Sequence, residues 1–273
     1  MKEKYIFIIN VILMCALLTA CSDNSDENYD AILEKSFSAA KEGHWDKANE
    51  LAEKAVNINE KNPNARTLFA LTLEQCRDSV RALEEATQAA MLDEDNFMAQ
   101  YTKGRLLFLA ERYDECLAPL SKASKIEPNN SQVLIMLARA NAILGIQKRA
   151  IKYYIALLKQ DEYCNRPEAF NELGVLFLEK NDFKHALSFL KKAYSMDEKS
   201  VPTIINMGIL FDKYSNTLQF SGKAKTARIA TAKALKYYRT ALVYLQRLNI
   251  ELEQQDKLKT RIARLAEQFK RKS

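Results

Sequence analysis

Apolar and small residues recur along this chain at helical spacing, inside blocks of about 34 residues. Ser36, Ala70, Gly104 and Ala138 form one series. Ala48, Ala82, Cys116 and Ala150 form a second, and Ala55, Ala89 and Ala123 a third. All three resume as Gly174, Ala186 and Ala193 after a two-residue insertion, and again as Gly208, Ala234 and Ala241 after a longer one. Within a block the apolar positions step by three and four, as in Ala186, Leu190 and Ala193. A fixed period of this length predicts pairs of antiparallel helices stacked into a solenoid. Small residues are required where two helices cross closely, and no single block buries its apolar stripe without its neighbours. The expected fold is therefore all-α, a helix–turn–helix superhelix of about six repeats.

The repeats divide as 29–62, 63–96, 97–130, 131–164, 167–200 and 201–242. Pro63 suits a first helical position, where a missing N–H costs nothing. Pro128 stops one helix, and Asn130 or Ser131 is placed to cap the next. Repeat 6 departs from the pattern, because 14 additional residues fall within 212–233. They extend both helices or form a loop, and Gly222 is the one strong breaker among them. Beyond Ala241, Leu242, Leu245 and Leu248 form one apolar stripe and Leu258, Ile262, Leu265 and Phe269 another. This predicts an amphipathic capping helix over 243–273, closing the last layer of core.

Repeat 3, with Gly104, Tyr113, Leu120, Ala123 and Pro128-Asn129-Asn130, carries the pattern most fully. It resembles the tetratricopeptide repeat (TPR) family, and the resemblance extends over nearly all of the chain beyond residue 28. In that family the first helix of each repeat lines a concave groove. Carrying over positions 5, 9 and 12 gives Tyr101, Arg105 and Phe108 from repeat 3, Ile135, Arg139 and Ala142 from repeat 4, and Asn171, Val175 and Leu178 from repeat 5. The resemblance implies a protein or peptide partner bound there, since Tyr, Phe and Arg are favoured at interfaces. Some TPR domains hold a C-terminal carboxylate with basic residues at positions 2 and 6. Here those positions are Met98/Thr102, Gln132/Met136, Glu168/Glu172 and Pro202/Asn206, so such a clamp is not supported.

Residues 1–20 stand outside the repeats. Lys2 and Lys4 precede an uncharged, largely apolar run from Tyr5 to Ala20, and Leu18-Thr19-Ala20-Cys21 closes it. The layout is that of a signal peptide. Its end resembles the bacterial lipobox, which implies lipidation of Cys21. Residues 21–28 read as an acidic, disordered tether. Ser22 directly after the cysteine is similar to outer-membrane sorting, and the Ser-Asp-rich tether resembles Bacteroidota surface lipoproteins. The expected address is the bacterial cell envelope, lipid-anchored at the outer membrane.

Charge is unevenly spread. Residues 22–130 hold 13 Lys and Arg against 21 Asp and Glu, a net of −8, whereas 131–273 hold 26 against 13, a net of +13. The basic peak is Lys213, Lys223, Lys225, Arg228, Lys233, Lys236 and Arg239, with Tyr214, Phe220, Tyr237 and Tyr238 interleaved. An anionic envelope polymer or lipid, or an acidic protein, fits such a region, and the envelope address argues against nucleic acid.

No catalytic basis is visible. His44 and His185 are the only histidines, and neither has a nucleophile or metal-ligand partner at informative spacing. Cys76, Cys116 and Cys164 remain after Cys15 and Cys21, without close pairing or metal-like spacing. Cys116 occupies a slot usually filled by alanine and reads as a buried small residue. No cofactor or metal is expected.

Overall fold

The computed structural model describes residues 26–160, 165–249 and 252–270. The signal segment 1–20, Cys21, the tether up to Ser25 and Cys164 lie outside the described residues. Among the described residues the chain forms thirteen helices and no strand: α1 (Asp26–Lys41), α2 (Trp45–Ile58), α3 (Pro63–Gln75), α4 (Ser79–Leu92), α5 (Phe97–Leu109), α6 (Tyr113–Ile126), α7 (Ser131–Ile143), α8 (Gln147–Leu158), α9 (Pro167–Glu179), α10 (Phe183–Met196), α11 (Val201–Phe220), α12 (Ala224–Arg247) and α13 (Leu252–Lys270). The fold class is the expected one. Two boundaries differ from the sequence reading. Helix α1 opens at Asp26, so Asp26, Glu27 and Asn28 are helical rather than tether. Helix α12 continues to Arg247, so residues 243–247 belong to it rather than to the capping helix.

The described helices fall into two compact units, divided after Tyr153. In the first unit, every described member of the three small-residue series is buried: Ser36, Ala48, Ala55, Ala70, Ala82, Ala89, Cys116, Ala123, Ala138 and Ala150 are all 0% exposed. The reason is steric. A Cβ added to Gly104 in α5 would lie 2.6 Å from Leu120 Cγ in α6, closer than real side chains approach. Successive first helices start alike. Asn62, Asn96 and Asn130 each turn the side-chain oxygen back to accept from the first turn of α3, α5 and α7. Each paired helix begins after a residue in left-handed conformation, seven positions beyond the small crossing residue: Gly43, Arg77, Glu111 and Gly145.

In the second unit the same grammar is stretched. A Cβ on Gly174 would lie 2.5 Å from Leu190 Cγ, sixteen residues on, as Leu120 is from Gly104. In the last hairpin the facing residue of Gly208 is Tyr238, 2.6 Å from the added Cβ and thirty residues on. The regular interval reappears nearer the turn. Ser215 Oγ pairs with Thr231 Oγ1 at 2.7 Å and donates to the Ala227 carbonyl at 2.9 Å. In the first hairpin Ser36 Oγ likewise donates to the Ala48 carbonyl at 2.8 Å, twelve residues on. The 14 inserted residues therefore divide as seven on each arm. Both helices lengthen, and the loop alternative is set aside. Seven residues are close to two full turns, so the buried stripe stays in phase with the rest of the hairpin.

The terminal helix α13 packs along α12 and buries Leu258 and Leu265, with Ile262 and Phe269 partly covered, which is the expected stripe. Leu245 is buried with them, whereas Leu248 is the exposed C-cap of α12.

Candidate binding surfaces

Helices α3, α5 and α7 are the first helices of successive hairpins in the first unit, and α5 touches both of the others. Residues four apart on one helix share a face, so Tyr101, Arg105 and Leu109 on α5 and Ile135, Arg139 and Ile143 on α7 form two matching stripes. Depth varies along them. Tyr101 is buried at 2% exposure, stacked on Phe97 with ring centroids 5.8 Å apart. Arg105 is 8% exposed, and its guanidinium makes a two-pronged hydrogen bond to Glu74 of α3, with Nη1 to Oε1 at 2.8 Å. Burial pulls the Arg105 pKa down, but the Glu74 hydrogen bond and charge outweigh it and hold it above the ordinary arginine range.

These positions correct the sequence reading. Tyr101 and Arg105 are the floor of the surface rather than free contacts, because Phe97 and Glu74 cover them. Phe108 is half-buried, edge-on to Tyr113 at 5.3 Å. Ile135 is half-buried and Arg139 is exposed. The open apolar positions are Leu109, 54% exposed, and Ile143, 57% exposed, which the reading from positions 5, 9 and 12 missed. Both stand at position 13, the end of the stripe. Glu74 was missed as well. It stands at position 12 of one repeat, against an arginine at position 9 of the next, a pairing that spacing alone can reveal.

In the second unit, Asn171 is 8% exposed and accepts a hydrogen bond from Asn206 Nδ2 at 3.0 Å, so it too is structural rather than groove-facing. Val175 is half-buried. The seven expected cations lie together on the α11–α12 hairpin, and all seven are exposed. No Asp or Glu occurs anywhere in 213–250, whereas eight Lys and Arg do. Two cations rest on rings: Arg228 over Phe269 at 4.8 Å and Lys233 over Phe211 at 5.2 Å. Lys236 and Arg239 edge a cleft of about 510 Å³ with Leu235, Ala266, Phe269 and Lys270.

Both histidines have local partners. His185 Nδ1 lies 2.8 Å from Asp182 Oδ2 and its ring stacks on Phe177, while His44 lies 3.3 Å from Glu42. The His185 hydrogen bond pulls the Asp182 carboxyl below its usual range. Burial pushes the Cys116 thiol up to about 11, which keeps it a protonated, inert side chain. Among the described residues no group of His, Cys, Asp and Glu is arranged to hold a metal ion.

No family model matches the chain. It is 27% identical over 114 residues to anaphase-promoting complex subunit 3 of Schizosaccharomyces pombe, which covers 42% of this chain but only 17% of that protein. Among solved structures it is similar to YrrB, described as a TPR protein with an unusual peptide-binding site, at a TM-score of 0.57 and 21% identity over 73% of this chain and 98% of the other. It is also similar to Pseudomonas aeruginosa pilF, at a TM-score of 0.56 and 19% identity over 83% and 99%. At these identities the likeness establishes the helix–turn–helix TPR fold.

Proposed function

We propose that this chain, with the fold of a TPR solenoid, is a lipid-anchored interaction scaffold or assembly adaptor of the bacterial cell envelope. It binds a peptide-like segment of a protein partner on the first helices of its first unit. The observation that carries this reading is the stripe Ile135, Arg139 and Ile143 beside Phe108 and Leu109. Exposed apolar side chains with one free-standing guanidinium group are interface chemistry. They stand on a floor fixed by the Tyr101 stack and the Arg105–Glu74 pair, so little ordering is left for binding to supply. Such a role needs no cofactor and no catalytic group. The anchor rests on Leu18-Thr19-Ala20-Cys21 after an apolar run, and an outer-membrane address on Ser22.

The test is crosslinking in intact envelopes followed by capture and mass spectrometry. Arg139→Ala with Ile143→Ala is expected to weaken capture on the order of thirty-fold, since a central anchor contributes about 2 kcal/mol. Helicity and melting temperature should hold, because both side chains are exposed. Capture that persists in that variant removes the surface assignment. In the same cells, Cys21→Ser should abolish acyl labelling and release the chain from the membrane fraction, and a variant that stays anchored removes the lipobox reading.

A second reading has its own support. The acid-free run 213–250 favours an anionic envelope polymer or lipid as the partner of the second unit. High salt separates the two, because charge-driven capture collapses and apolar capture persists.

A further inference from the structure

Toward its turn the last hairpin reaches seven residues further than the regular ones on each arm, which is about 10 Å of helix. Its end carries Phe220, the last residue of α11, at 95% exposure. Ser221 and Gly222 follow in the turn, and Lys223 is the N-cap of α12. Ile229, six residues further along α12, is 53% exposed. Lys223, Lys225 and Arg228 are exposed on the same first turns of α12, Arg228 lying over Phe269, and Lys213 stands two turns back along α11. The core of the unit makes no use of Phe220, although it covers Phe211, Tyr214 and Tyr237 from the same hairpin. A nearly bare aromatic ring on a lengthened arm, next to exposed cations in a run without a carboxylate, is two-part chemistry. The ring asks for an apolar medium and the lysines ask for negative charge at its boundary.

We propose that this tip docks on an anionic phospholipid surface, with Phe220 entering the headgroup–acyl boundary and Lys223, Lys225 and Arg228 contacting the headgroups. The proposal rests on the second reading above and narrows it. A soluble polyanion satisfies the cations but leaves Phe220 in water, and a bilayer satisfies both. Each Lys or Arg near such a surface raises affinity about five-fold, so the three at the tip together contribute on the order of a hundred-fold. Phe220 and Ile229 supply the apolar part, and salt weakens only the charged part.

Trp45 is the single tryptophan and belongs to the first unit. A full-length chain carrying Trp45→Phe and Phe220→Trp therefore reports from the tip alone, whatever holds the N-terminal end. Vesicles of phosphatidylglycerol should shift its emission to the blue, and brominated acyl chains should quench it. Pure phosphatidylcholine vesicles should do neither. Adding Lys223→Gln, Lys225→Gln and Arg228→Gln should lower partitioning on the order of a hundred-fold with circular dichroism unchanged. Unaltered emission on phosphatidylglycerol overturns the proposal, even if the chain sediments with the vesicles. An equal shift with polyphosphate overturns it in favour of a polyanion site. A shift that grows with protein concentration and without lipid overturns it in favour of self-association. Salt-sensitive capture of polyphosphate beside a silent tip keeps the anionic-partner reading and removes only the lipid tip.

Discussion

Glu74→Ala is expected to destabilise the first unit by about 3–5 kcal/mol, the range for leaving one member of a buried ion pair without its partner. The side chains of Glu74 and Arg105 are only 11% and 10% exposed, and each supplies the other's charge. Removing the carboxylate strands a guanidinium whose Nε already lacks a hydrogen-bond partner. Desolvation decides the size of the effect. Arg81 with Glu53 is a comparable pair at 50% and 45% exposure, and Glu53→Ala should cost well under 1 kcal/mol. Replacing both members of the buried pair with Glu74→Leu and Arg105→Met should recover most of the loss, because similar apolar volumes can substitute for an ion pair in a core. Urea unfolding followed by circular dichroism reads all three. A loss below 1 kcal/mol in Glu74→Ala would mean that water reaches the pair.

The second large effect is expected at Gly208. Replacing a glycine inside a helix normally stabilises it, by up to about 1 kcal/mol for alanine. Here an added Cβ meets the Tyr238 ring at 2.6 Å, and that ring is 1% exposed beneath the Arg261 guanidinium, 5.8 Å away. A buried ring has nowhere to turn, so the clash outweighs the gain in helix propensity. Gly208→Val should lower stability by roughly 3 kcal/mol, the upper part of the usual overpacking range. Gly104→Val should cost less, because Leu120 can change rotamer where a ring cannot. Thermal melts of the two variants should rank in that order. Adding Tyr238→Leu to Gly208→Val should restore part of the loss, and a failure to do so would place the strain elsewhere.

How much was legible in the sequence follows from what periodicity encodes. Ala48, Ala82 and Cys116 could be placed at helix crossings because only small side chains fit there, and spacing alone reports that constraint. The face on which Tyr101 and Arg105 stand was legible for the same reason. Their depth was not read from that face alone: Tyr101 is stacked on Phe97 of its own helix, and Arg105 is covered by Glu74 of the preceding first helix, a pairing that only a comparison between repeats brings out. Asn171 was misplaced for the same cause, its partner Asn206 lying one repeat away. The division of the insertion is present in the sequence, in an interval other than the one that ends at Ala234. Following Ala234 suggested a broken repeat, whereas Ser215 and Ala227, twelve apart like Ser36 and Ala48, mark where the regular hairpin resumes. The cations of the last hairpin stand out as a group in the sequence itself, since surface charge needs no knowledge of packing.

The even split of that insertion has a consequence for how such an arm can change over evolutionary time. Seven residues rotate a helix through almost two revolutions, falling about 20° short, and every other small increment leaves a larger angular error. An arm built this way grows or shrinks in quanta, one heptad per strand of the hairpin, each rung of the ladder moving the turn by about 10 Å. A gain of one or two residues on one side would swing Tyr238 and Thr231 away from Gly208 and Ser215, and the pair of helices would come apart at the seam. The distance between the turn and the body of the unit is thus a digital variable, and Phe220 rides at the end of its first increment.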